Sequence, residues 1–149
     1  MDNVLSPLIP TMTSNTAPYG KVSASSYYDN NYLPYYAFDG TDRRWCQKVA
    51  GSINEWVSYE FNQEITARFI TCCISIPNLS TVYTCAGKIQ CKVLGGDWED
   101  VSDVVSYTGT ANSYKQIAVS INKENVTDIR FIITESQYLV SVYDFNVYG

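Results

Sequence analysis

Apolar and polar positions alternate with a period of two along most of this chain. In "EWVSYEF" (55–61), Val57, Tyr59 and Phe61 fall on one face. "ARFITCCISI" (67–76) is a long β-rich run closed by Pro77-Asn78. "KIQCKVL" (88–94) sets Ile89, Cys91 and Val93 against Lys88, Gln90 and Lys92. "YKQIAVSI" (114–121) aligns Ile117, Val119 and Ile121, and "DIRFIIT" (128–134) aligns Ile129, Phe131 and Ile133. "VSVYDFNVYG" (140–149) turns Phe145 and Val147 inward. Turn signals separate these runs at Gly40-Thr41-Asp42, Gly95-Gly96-Asp97, Gly109-Thr110-Ala111-Asn112 and Asn122-Lys123-Glu124-Asn125. No stretch has the 3.6-residue period of an amphipathic helix. The pattern predicts an all-β, antiparallel sandwich or barrel. Residues 1–12, with Pro7 and Pro10 and no sustained period, read as an N-terminal arm ahead of a domain over 13–149.

Composition narrows the function more than the fold. A chain of 149 residues suits one domain with one core. Its 17% charged content against 46% hydrophobic content marks a folded chain rather than a disordered one. The net charge of −5 does not attract phosphate backbones, which argues against nucleic acid as a partner. No run of 18 apolar residues is present, so no membrane insertion is expected, and the opening lacks the layout of a secretory signal. Thirteen tyrosines suit either a contact surface or a pleated β surface. The five cysteines include no CxxC pair and read as buried free thiols of a reducing compartment, with Cys85–Cys91 and Cys46–Cys72 bridges as the alternatives. The chain has no histidine, which removes the commonest general base and the usual triads. The acid pairs Asp97/Glu99 and Asp100/Asp103 sit beside turns, so no catalytic residue is assigned.

The order of short motifs then carries a resemblance. Ser23-Ala24-Ser25-Ser26, Ala37-Phe38-Asp39-Gly40, Trp45, the run Trp56 to Phe61, Gly96-Asp97-Trp98-Glu99-Asp100-Val101 and the closing Asp144-Phe145-Asn146-Val147-Tyr148-Gly149 follow one another as in the discoidin family. That family includes the C-type domains of coagulation factors five and eight and the family thirty-two carbohydrate-binding modules. The resemblance spans residues 12–149, and the "MTSNTAP" opening is similar to discoidin-like domains of phage tail and virion proteins and of bacterial surface proteins. It implies a single-domain jelly-roll β-sandwich of the galactose-binding-like type that binds without catalysis. Its ligands would be glycans, or in some members phospholipid or protein, held by loops at one end.

Carried over residue by residue, the resemblance places ligand contacts in "SSYYDNNYLPYY" (25–36) and three further loops. Tyr27, Tyr28, Asp29, Asn31, Tyr32, Asn78, Tyr83 and Tyr138 are the candidates. It also implies a structural calcium near Asp39, with Asp42 and Asp144 as carboxylates and carbonyls from Tyr36, Thr41, Arg44 and Tyr143. Arg44 here stands where the family has a hydroxyl ligand, and Asp144 where it has a glutamate. The alternative is a metal-free turn in which Arg43 and Arg44 pair with the aspartates. Trp45 and Trp56 read as core, and Trp98 as a plug over one end of the sandwich. Two functions fit. One is a carbohydrate-binding module of a phage virion or tail that aids attachment to a bacterial surface glycan. The other is a structural protein that decorates or joins a virion by binding protein. The expected location is therefore the virion, after synthesis in the host cytoplasm, with multivalent display in the assembly.

Overall fold

Every alternating run becomes a strand in the computed structural model, which describes residues 4–149. The strands are β1 (Lys21–Ala24), β2 (Trp45–Cys46), β3 (Trp56–Ser75), β4 (Tyr83–Val93), β5 (Trp98–Asp100), β6 (Val105–Gly109), β7 (Lys115–Ser136) and β8 (Ser141–Tyr148). A 3₁₀ turn covers Pro34–Phe38. All pairings between strands are antiparallel, as in a jelly-roll β-sandwich. The first layer joins β1, the start of β3, the end of β7, and β4, with β5 and β6 on the outer edge of β4. The second joins β2, β8, the end of β3 and the start of β7.

β3 and β7 each serve both layers. Register shifts between Glu60 and Phe69 bend β3, and the inward set changes parity there. Val57, Tyr59 and Phe61 are buried before the bend, and Ile70, Cys72 and Ile74 after it. A bulge adds a residue to one strand, so it both bends the strand and swaps its faces. The turn expected at 122–125 is corrected by the same feature. β7 runs straight through it, and Asn125 takes up the bend with a φ of 59°.

The core between the layers is aromatic at its centre. Phe38 stacks on Phe145 with ring centroids 5.1 Å apart, and Tyr59 packs on Phe38 at 5.8 Å and on Phe61 at 5.0 Å. Trp45 is wholly buried and donates its indole N–H to the Ser26 carbonyl at 2.8 Å. Gly20, at a φ of +81°, lets the Tyr59 hydroxyl reach the Tyr19 carbonyl at 2.8 Å. A Cβ there would lie 2.0 Å from that hydroxyl. All five thiols are buried and none is bridged.

Three expectations change. Over 4–12 the arm belongs to the fold: Ile9 and Met12 enter the core, and Leu8 N–H bonds the Val147 carbonyl at 2.8 Å. Pro7 and Pro10 break the alternation without preventing a pairing along the β8 edge; residues 1–3 lie outside the described residues. Trp56 is half-buried rather than core, because the alternation that buries Val57 turns it outward. Trp98 does not plug an end. It lies on the outer face of the first layer, with the Arg130 guanidinium 4.1 Å from its ring centroid.

Candidate functional site

Because β3 and β7 fold over at one end, their termini all return to the other. The loops 25–33, 47–55, 76–82, 110–114 and 137–140 gather there, cross-tied by backbone bonds. Tyr28 N–H meets the Cys46 carbonyl at 2.9 Å, Gly51 N–H the Tyr138 carbonyl at 2.8 Å, and Ala111 N–H the Asn78 carbonyl at 2.8 Å. Side chains add further ties. The Glu55 carboxylate accepts bonds from the hydroxyls of Ser25, Ser26 and Ser52. Gln47, fully buried, accepts from Val140 N–H at 2.7 Å and donates to the Ser136 hydroxyl at 3.3 Å.

Two concavities open among these loops. One of about 470 Å³ is lined by Ser25, Ser26, Tyr27, Tyr28 and Lys48. The other, about 360 Å³, is lined by Tyr32, Arg44, Pro77, Leu79 and Ala111. Both fall in the range of roughly 300–1,000 Å³ usual for small-ligand pockets. The second is the better-built of the two. Tyr28 packs edge-on against Tyr32 at 5.8 Å and 82°. Burial raises the Tyr32 phenol above its ordinary pKa, with Cys46, Asp29 and Tyr28 adding to the shift, so it stays a neutral donor and acceptor. Arg44 lies 4.4 Å from the centroid of the Tyr143 ring and donates Nε–H to the Asp42 carbonyl at 3.3 Å. Burial, ahead of neighbouring charges, pushes the Tyr143 phenol up to about 12.

The predicted ligand residues divide by role. Tyr27, Tyr28 and Asn31 are exposed and Tyr32 lines the cleft. Asp29 shapes the loop by accepting from Asn31 N–H at 2.8 Å. The Asn78 side chain accepts from Ser80 and Thr81 N–H, at 3.0 and 2.8 Å, and so holds Pro77 and Leu79 in place. Tyr83 and Tyr138 stack on each other at 4.7 Å and 13°, which uses one face of each ring, and neither lines the cleft. Leu79, Ala111 and the positioning residues Gln47 and Glu55 carried no signal in the sequence, because each is defined by a partner on another loop.

The expected calcium ligands arrange differently. The Asp39 side chain is 2% exposed, and both of its oxygens are engaged. Oδ1 accepts from Thr41 N–H at 3.0 Å and the Thr41 hydroxyl at 2.6 Å, while Oδ2 takes the Arg43 guanidinium at 2.9 and 2.7 Å. Arg43 also covers the Tyr36 ring at 4.1 Å. Asp42 and Asp144 are exposed, and no set of three His, Cys, Asp or Glu side chains forms a metal site among the described residues. Calcium requires six to eight oxygens. With Asp39 committed to a cation and the Asp42 and Asp144 side chains exposed, this donor set does not fit the ion; the pairing alternative fits Asp39 and Arg43, while Arg44 pairs with no aspartate among the described residues.

Solved structures of similar fold cover nearly the whole of this chain. A family 32 carbohydrate-binding module of Clostridium perfringens, in complex with GlcNAc-α-1,4-galactose, superposes with a TM-score of 0.72 over 100% of this chain and 97% of its own, at 13% identity. The chain has the fold of the family 32 carbohydrate-binding modules and the F5/8 type C domains. The F5/8 type C domain of a Bacteroides fragilis protein matches at 0.63, covering 99% of this chain and 98% of its own, with 16% identity. Chitosan-binding module 1 of a chitosanase/glucanase from Paenibacillus sp. IK-5 matches at 0.63, covering 91% of this chain and 98% of its own, with 22% identity. No protein-family model matches the sequence, and no curated protein does. The likeness in fold therefore stands at 13–22% sequence identity.

Proposed function

We propose that this chain is a non-catalytic carbohydrate-binding module that holds a sugar residue in the cleft between Tyr32, Arg44, Pro77, Leu79 and Ala111. The observation that carries this reading is the makeup of the cleft: one aromatic ring, one guanidinium fork and an apolar wall. Sugars present apolar C–H faces for the ring and wall, and hydroxyls for the fork. The two sugar-binding proteins of the same fold described above support it. Titration with a panel of monosaccharides and oligosaccharides tests it. Tyr32→Ala is expected to weaken binding roughly tenfold while leaving the melting temperature near that of the parent. Binding that is unchanged in that variant would remove the cleft from the function.

A second reading draws on the same end of the molecule. Val49, Ile53, Leu79 and Val82 are all more than half exposed. Exposed apolar groups of this kind suit a protein partner, which fits a decoration or joining role in a virion. The virion setting itself rests on the resemblance of the opening segment. Purified particles that carry the chain, and lose it on Leu79→Asp with Val82→Asp, would support this reading over solitary glycan binding.

A further inference from the structure

The two consecutive arginines have opposite fates. Arg43 and Arg44 precede β2, and of the two Arg43 is the one paired with Asp39. Arg43 takes that carboxylate at 2.7 Å. Arg44 turns toward the loop end, where its guanidinium lies on the Tyr143 ring and its Nε–H is used by the Asp42 carbonyl. Among the described residues, no carboxylate comes within 4 Å of it. It is half-buried, and the other residues of its cleft, Tyr32, Pro77, Leu79 and Ala111, are all uncharged. Asp42 meets Arg44 through its backbone carbonyl at 3.3 Å, and its own side chain is exposed. Asp29 stands beside Tyr32 and Asp144 beside Tyr143, and both are exposed.

We infer that the sugar held in this cleft carries a carboxylate, and that Arg44 is the residue selecting it. This rests on the reading of the cleft as a glycan site. The argument is charge complementarity at a partly desolvated position. A cation drawn from water and left without an acid is stabilised by a ligand that supplies one. The planar guanidinium, fixed through Nε–H and its ring stack, presents its remaining N–H groups as a preorganised fork. Such a fork matches the two oxygens of a carboxylate better than single hydroxyls. Tyr32 and the Pro77–Leu79 wall would meet the sugar ring, so a hexuronic acid unit of an acidic polysaccharide satisfies both halves of the cleft. The net charge of −5 disfavours anions over the surface at large, so selection must be local to Arg44.

The test compares three ligands of nearly one shape: glucuronic acid, its methyl ester and glucose, each titrated calorimetrically at low and at moderate salt. The acid is expected to bind about tenfold more tightly than the ester or glucose, with an advantage that shrinks as salt rises. Arg44→Gln should erase the advantage, so that acid, ester and glucose bind alike and each more weakly than glucose binds the parent. Arg44→Lys should keep part of the advantage, since charge remains but the fork is lost. Should these variants fold poorly, amide shift mapping on the unmodified protein replaces them. The glucuronate-specific shifts should centre on Tyr32, Arg44 and Ala111. Equal affinity for acid, ester and glucose, with binding still lost in Tyr32→Ala, would overturn the acidic preference and leave glycan binding standing. Absence of binding by all three ligands and by their oligosaccharides would overturn both.

Discussion

Replacing Gln47 with leucine should loosen the loop end without opening the core. Gln47 is fully buried, and its side chain ties the 47–55 loop to the 137–140 loop. Leucine has a similar volume but cannot form either bond. The Val140 N–H, on a residue 1% exposed, would lose the Gln47 acceptor and remain buried. An unsatisfied buried donor costs about 1–3 kcal/mol, and the bond to Ser136 adds about 1 kcal/mol. The sum is about 3 kcal/mol, which for a chain of this size lowers Tm by roughly 6–12 °C. Calorimetry and urea unfolding would measure it, with Val49→Ala on the exposed part of the same loop as a control expected within about 0.5 kcal/mol of the parent. The Val140 amide should also exchange faster with solvent. The Ser136 hydroxyl keeps its bond to the Tyr138 carbonyl at 2.6 Å and loses Gln47 as its second partner. A Gln47→Leu protein melting within about 1 °C of the parent would refute the claim that this residue pins the two loops together.

Other outcomes follow from the same geometry. With Asp39 held by Arg43, Tm is expected to be equal in millimolar calcium and in chelator; a clear rise with calcium would show that an oxygen cage forms after all. Gly87→Ala should destabilise the sandwich by about 3 kcal/mol in urea unfolding, because a Cβ there would lie 2.1 Å from the Phe131 ring and 2.7 Å from the Ile132 carbonyl oxygen; an unchanged midpoint would mean that the two strands can part at no cost. Burial pushes the thiols of Cys46 and Cys85 from 9.0 up to about 12, with Asp29 and Glu135 adding to it. The folded chain therefore favours the neutral thiols. That stability is fully present below pH 9 and is lost as pH rises from there toward 12, so the urea midpoint should fall across this window. At pH 8 a thiol reagent should react with none of the five cysteines until denaturant is added, and fast reaction of the native protein would contradict their burial.

The alternation of residues determined the β class, the antiparallel pairing and most of the inward set, because side-chain period is a local property of extended chain. Val57, Tyr59, Ile89, Ile129, Phe131, Phe145 and Val147 were all legible in that way, and all are buried. The same rule already implied that Trp56 faces outward, yet the family resemblance suggested core. Bends were not legible. Asn122 to Asn125 has the composition of a turn, but a partner strand bonded on both sides of the bend keeps the chain extended through it. The site divided along the same line. The aromatic loop and its Tyr32 could be read from sequence, since exposed tyrosines near a turn are a local signal. The joining of Tyr32 to Arg44, Leu79 and Ala111 was settled only by the fold, because each comes from a different loop. Sequence could propose that two arginines and two aspartates meet near Gly40. It could not say which arginine is neutralised and which is left facing the cleft. That choice depends on side-chain direction at the start of β2 and on where the Tyr36 and Tyr143 rings lie, and tertiary packing alone sets both.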